Sequence, residues 1–197
     1  MKGRKKMNKV QFGLSNVHFA PISSIGNDGT ITYGTVYEIA GAVSLSMDAS
    51  GDQADFAADN NARYFTDYAN NGYTGTLEMA KLTNDFRTKV LGQIIDNNGA
   101  ILESGEDKLT GFALGFQIDG DESNTRFWLY NVMASRPTLA SSTTDTSRTP
   151  QTTTLNLTVM RRPKDQRTKI EMTKTDDNTT AYNGFFSTVY EASITTI

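Results

Sequence analysis

A single histidine, no cysteine and twenty-two acidic residues limit the chemistry open to this 197-residue chain. His18 stands in Asn16-Val17-His18-Phe19-Ala20 with no sequence-visible partner, so it reads as a packing histidine rather than a general base. The missing cysteine removes disulfides, thiolate metal sites and thiol nucleophiles together. There is no nucleophile elbow and no phosphate loop. Gly111, Gly115 and Gly120 have the wrong spacing for a dinucleotide fingerprint and sit in a strand pattern. The acids are the remaining candidates. Asp48, Asp52, Asp55 and Asp59 form a spaced run, and Asp119, Asp121 and Glu122 form a cluster. Either could offer oxygens to calcium, but neither places the glycine and terminal glutamate of the helix–loop–helix site. A pair of carboxylates could also serve glycoside hydrolysis, although acid pairs are common by chance. The sequence points to no catalytic residue, metal ligand or cofactor.

The elements that must position these residues read mostly as strands. Gly41–Asp48 places Val43, Leu45 and Met47 on one face, and Tyr73–Ala80 sets Leu77 and Met79 against Thr74, Thr76 and Glu78. Gly111–Ile118 aligns Phe112, Leu114, Phe116 and Ile118, and Thr152–Met160 aligns Leu155, Leu157 and Val159. Thr125–Ala134 is rich in aromatic and β-branched residues. Alternation with period two predicts half-buried antiparallel strands. Gly26-Asn27-Asp28-Gly29, Asn70-Asn71-Gly72 and Asp119-Gly120-Asp121 supply turns.

From Asn84 to Ile95 the apolar residues Phe86, Val90, Leu91, Ile94 and Ile95 take helical spacing instead. Asn84 is the expected N-cap, Asp85 favours the helix dipole, and Asn97-Asn98-Gly99 is the expected stop. A weaker helical pattern uses Tyr182, Phe185, Phe186, Val189 and Tyr190, near 182–190. The expected fold is mainly β: an antiparallel β-sandwich or barrel with one flanking helix near 84–95 and a short C-terminal helix. Residues 1–9 form a basic arm, and 10–197 form a single domain. Ser135–Thr154 is a long loop in which twelve of twenty residues are Ser or Thr, a length that is usually functional or ordered by a partner.

The net charge of −3 conceals segregation. Residues 1–9 carry +5, residues 38–122 carry −10 and residues 123–175 carry +6. Such a chain can attract copies of itself. The basic candidates for contact between copies are Arg136, Arg148, Arg161, Arg162, Lys164, Arg167 and Lys169. Arg161 to Lys169 could instead bind nucleic acid, but no stacking aromatics are interleaved there. No apolar run approaches the length of a membrane-spanning helix.

Several strings resemble a known family. Met7-Asn8-Lys9-Val10-Gln11-Phe12-Gly13-Leu14-Ser15-Asn16-Val17-His18 is similar to the start of the phi13-type phage major tail proteins. Ile39–Ser46, Asn71–Glu78, Phe86-Arg87, Ala134–Pro137, Pro150–Thr152 and Phe186–Glu191 resemble its later blocks, in order. The resemblance runs from about residue 7 onward and implies a structural virion protein with no catalytic residues. It implies a tail tube subunit that stacks as hexameric rings into a hollow tube on a long non-contractile tail. The implied partners are further copies of itself, other tail proteins such as the tape measure and terminator, and double-stranded DNA passing transiently through the lumen. The implied location is the virion tail, after synthesis in the cytoplasm of a bacterial host.

A basic lumen would stall DNA, which carries about one charge per 1.7 Å of axis. Asp48, Asp52, Asp55, Asp59 and Glu78 are therefore the expected lumen-facing acids. A carbohydrate-binding β-sandwich is the alternative. It would need an exposed aromatic platform, with Phe127, Trp128 and Tyr130 as the candidates.

Overall fold

The computed structural model describes residues 8–143 and 150–193. Arg148 and the central part of the Ser/Thr-rich loop lie outside them, as do residues 1–7 of the basic arm. The chain is mainly β and antiparallel throughout. Its strands are β1 (Gln11–Ile25), β2 (Ile31–Tyr33), β3 (Tyr37–Glu38), β4 (Ala42–Ser50), β5 (Gln53–Ala58), β6 (Asn61–Tyr68) and β7 (Gly72–Met79). After helix α1 (Asn84–Lys89) come β8 (Ile94–Ile95), β9 (Ile101–Leu102), β10 (Phe112–Gly120), β11 (Thr125–Ala134), β12 (Thr153–Val159), β13 (Lys169–Thr173) and helix α2 (Thr179–Asn183). The large sheet runs β2-β1-β10-β11-β12-β7-β4, with β3 added to β1 and β13 to β11.

Strand β11 changes partner midway. Thr125–Leu129 pairs with β13, and Val132–Ala134 pairs with β12. Its two faces feed two separate cores. Phe127 and Leu129 join Phe19, Phe86, Phe112, Leu114, Leu155 and Leu157 in the larger one. Trp128 and Tyr130 join Ala113, Phe185 and Val189 in the other. The middle of the sheet is thus covered on both faces, and β10 is buried from Phe112 to Gln117. The expected strand faces hold, with one exception. A register shift between Ala42 and Ser44 turns Val43 outward to 52 % exposure, while Ala42, Leu45 and Met47 pack inward. A β-bulge adds a residue and reverses the alternation beyond it.

Both helices are shorter than their apolar spacing predicts. Helix α1 ends at Lys89, not at 95, because the chain reverses at Gly92 (φ 74°). A Cβ at Gly92 would stand 2.6 Å from the Lys108 carbonyl oxygen, so the close approach requires glycine. Ile94 and Ile95 then pair with Leu102 and Ile101 in the β8–β9 ribbon. The N-cap is Thr83, whose Oγ1 accepts the Phe86 N–H at 3.3 Å, and Asn84 is the first helical residue. At the C-terminus, α2 covers 179–183 rather than 182–190, and turns carry the chain on through Val189. The spacing of Tyr182, Phe185 and Val189 still buries all three. Among the described residues no helix is long and apolar enough to cross a membrane.

Candidate functional site

Strands β4, β7 and β12 turn their alternate residues away from the larger core. The register aligns Ser44, Glu78 and Thr154 in one row, Ser46, Thr76 and Asn156 in the next, and Asp48, Thr74 and Thr158 in the third. These nine side chains are exposed or half-buried. They are hydroxyls, one amide and two carboxylates, with no lysine or arginine. The intervening Leu45, Met47, Leu77, Leu155 and Leu157 anchor the strands from behind. Strand β4 is the sheet's last strand, so its outer backbone edge has no strand partner among the described residues.

Two of the five sequence-selected acids lie on this face. Glu78 accepts the Thr152 hydroxyl at 2.6 Å and the Ser44 hydroxyl at 3.0 Å. These bonds, Thr152 first, hold its carboxyl below the usual glutamate range. Asp48 is exposed on β4. The other three lie beyond the large sheet. Asp52 lies in the link between β4 and β5, where its carbonyl accepts the Ala69 N–H at 2.9 Å. Asp55 and Asp59 belong to the β5–β6 hairpin.

That hairpin prolongs the β4–β7 pair past the sheet, and the sequence reading missed it. Its tip, Asp59-Asn60, has φ of 49° and 58° at the two residues. A two-residue turn of this hand favours Asp, Asn and Gly, and that dipeptide was the available sequence signal. On one face Asp55 accepts bonds from Gln53 and Thr66, both at 2.8 Å, and pairs with Arg63 at 3.2 Å. The Gln53 and Thr66 bonds, with Arg63, hold its carboxyl below the ordinary aspartate value. On the other face Phe56 sits directly opposite Phe65. The two rings remain 61 % and 60 % exposed, while the exposed Tyr64 and Tyr68 alternate onto the Asp55 face.

The basic candidates are largely committed within the chain. Arg136 pairs with Glu103 at 3.6 Å, Lys164 with Asp28 at 3.0 Å, Arg167 with Asp165 at 3.3 Å and Lys169 with Glu171 at 3.5 Å. Arg161 has no ion pair among the described residues. Arg162 is only 7 % exposed and lies 4.1 Å over the Tyr130 ring. It pairs with Asp165 and Glu191, which ties the C-terminal segment to the turn after β12. Burial works against its charge, but the two carboxylates outweigh it and strengthen its hold on the proton. Burial raises the Asp165 carboxyl, yet the Arg162 bond wins and keeps it below its usual value. Burial pushes the nearby Tyr33 phenol up to about 12. Asp165 lies only three residues from Arg162, but the contacts with Tyr130 and Glu191 had no signal in the sequence, because they join residues far apart along the chain.

The remaining chemical candidates are structural. His18 stacks on Phe186 at 4.5 Å, and its Nδ1 lies 2.8 Å from the Asn16 carbonyl oxygen. Asp119 accepts the Gln117 amide at 2.8 Å, and Asp121 accepts the Lys9 N–H at 2.9 Å. Asn8 also bonds Glu122 and Ser123, which fixes the last two residues of the basic arm to the turn after β10. Among the described residues no three His, Cys, Asp or Glu side chains gather as a metal site. Trp128 and Tyr130 are fully buried, their polar atoms bonded to the Phe185 and Tyr190 carbonyls at 2.9 Å. They form no platform for a sugar. What the arrangement offers is a base-free polar face, an unpaired edge and a hairpin with bare phenylalanines. No family model matches this chain, and no curated protein matches it.

Proposed function

We propose that this chain is a structural subunit that polymerises into a hollow tube, the major tail tube protein of a long-tailed phage. The observation that carries this reading is the β4–β7–β12 face. A solvent-facing sheet of nine side chains with two acids and no base suits the wall of a channel for a polyanion. Phosphates find no cation there to hold them, so DNA bound only through its backbone charge would slide. Asp48 and Glu78 are the acids assigned to the bore. The open edge of β4 lets a neighbour's strand continue the sheet, which is how a single chain would build a closed wall. The resemblance of the strings from Met7 to Glu191 to tail tube proteins supports the same reading.

Electron microscopy of the purified protein at high concentration tests the proposal. Hollow tubes or rings, with the β4–β7–β12 face toward the bore, are the expected result. A persistent monomer, or tubes with Asp48 and Glu78 on the outside, would refute it.

A further inference from the structure

Three asparagines in this chain precede glycine: Asn71, Asn98 and Asn183. That dipeptide carries a latent reaction. The glycine amide nitrogen can attack the asparagine side-chain carbonyl carbon, because no Cβ on the glycine blocks the approach or restricts the backbone. A new N–C bond closes a five-membered succinimide, and the side-chain nitrogen leaves as ammonia with the amide proton. Water then opens the ring at either carbonyl, giving aspartate or isoaspartate. Water is the co-reactant, and nothing is oxidised or reduced.

Neighbouring sequence leaves the three sites alike, and folding separates them. To react, the glycine nitrogen must drop its hydrogen bond and the asparagine must turn out of its local conformation. Each site therefore reacts through a local opening, whose cost depends on what opens with it. Gly72 is buried at the start of β7 and pairs with Ser50. The Asn71 N–H donates to the Ser50 carbonyl at 2.8 Å, and the Gly72 N–H to Asn70 Oδ1 at 3.0 Å. A Cβ at Gly72 would stand 1.9 Å from the Val159 carbonyl oxygen, so β12 closes over it. Opening there breaks into the large sheet. Asn183 ends α2, where the Gly184 N–H donates to the Thr180 carbonyl at 3.2 Å. Both residues are exposed, but their neighbours are clamped. Tyr182 and Phe185 are buried, and their carbonyls accept bonds from Arg126 and from the Trp128 indole. Opening there lifts aromatic rings off the second core.

Asn98 has no such restraint. Residues 96–100 turn the chain from β8 to β9, and all five are exposed. The Gly99 N–H donates to the Asp96 carbonyl at 3.1 Å, and Asp96 Oδ1 accepts the Asn98 and Ala100 N–H groups at 2.9 and 2.7 Å. These bonds lie within the turn and are open to water. A Cβ at Gly99 would meet nothing within 4 Å. The ribbon behind it has two cross-strand pairs, Ile94 with Leu102 and Ile95 with Ile101. A two-stranded ribbon is marginal in water, so opening this turn disturbs neither core nor the large sheet.

We infer that Asn98 is a site of spontaneous covalent modification, converting through a succinimide to isoaspartate and aspartate, while the fold holds Asn71 and Asn183 as asparagine. The product puts a further negative charge at the tip of the ribbon. Its isoaspartate form also adds a methylene to the main chain before Gly99, in the turn that sets Ile95 opposite Ile101. The inference stands apart from the tube reading.

The full-length protein is incubated in mildly alkaline buffer, once folded and once in urea, with Trp128 fluorescence reporting the folded state. Peptide mapping by mass spectrometry follows the three asparagines, and chromatography separates isoaspartate from aspartate. In the folded protein Asn98 should convert at least about tenfold faster than Asn71 or Asn183. In urea, where no local opening is needed, the three rates should agree within about threefold. Asn98→Gln should remove the fast conversion and leave the slow ones. Equal rates at the three sites in the folded protein would overturn the inference, as would an Asn98 that converts in urea but stays as slow as Asn71 in the folded chain.

Discussion

Arg162 shows how much one side chain can hold. It is buried, stacked on Tyr130 and bonded to acids from two segments, Asp165 and Glu191. Removing one partner of a buried pair costs about 3–5 kcal/mol. The acids left behind by Arg162→Met are part exposed, so the expected loss is about 3 kcal/mol, at the low end of that range. The shift of the urea midpoint, read by Trp128 fluorescence, measures it. Lys164→Ala, which breaks the exposed pair with Asp28, should change the midpoint by less than about 1 kcal/mol. The same cluster sets a pH response. The native Asp165 carboxyl titrates below its unfolded value of about 3.9. Its contribution is therefore complete above that value and is lost as pH falls through the lowered native one. Asp165→Asn should be less stable at neutral pH and show a flatter acid limb in the same fluorescence assay. An unchanged acid limb would exclude this residue as a source of the pH dependence.

At the scale of elements, α1 shows which local signals decide a boundary. Asn84 has the residue type of a cap, but Thr83 is the residue that bonds the Phe86 N–H. Thr83→Ala should cost about 1 kcal/mol and Asn84→Ala much less, as thermal unfolding of the two variants would show. The helix stops early because Gly92 lets the Lys108 backbone approach, a tertiary demand that apolar periodicity does not record. The hairpin was missed for a related reason. Alternation is a burial signal, and Phe56 and Phe65 are not buried in the subunit. By contrast, β7, β10 and β12 could be read from sequence because each buries a continuous face.

For the whole molecule, the blocks of opposite charge along the chain predict salt-sensitive assembly, but the structure moves the source of that effect. Arg136, Arg162, Lys164, Arg167 and Lys169 are paired within the subunit. The sensitivity is expected instead from charges with no ion pair among the described residues, the hairpin aspartates Asp52, Asp59 and Asp67 among them. Raising salt from a tenth molar to about 1 M shortens the screening length from about 10 to 3 Å. Assembly should weaken across that range in light scattering. It should weaken less in Asp52→Asn/Asp67→Asn, which has less charge to screen. Equal salt slopes for the variant and the parent would exclude the hairpin acids as the source. For the proposed bore, Thr76→Lys with Asn156→Lys should leave the fold intact and add cations to a face that has none. Phage carrying both substitutions should assemble tails and eject DNA more slowly. An unchanged ejection rate would count against that face lining the channel.

The sequence by itself determined the fold class, the main strands and the presence of a flanking helix, because periodicity, turn dipeptides and cap-type residues are local. It also set the limits on chemistry, since residue types that are absent cannot be supplied by folding. Only the tertiary structure decided which acids share a surface. Glu78 and Asp48 came together through the pairing of β4 with β7, while Asp52, Asp55 and Asp59 were carried off along the hairpin. It likewise decided that Arg162 belongs to the interior and that Trp128 and Tyr130 lie beneath the C-terminal segment. These outcomes depend on strand order and register, which are set by contacts between residues distant in the chain. A composition or a spacing read along one strand does not contain them.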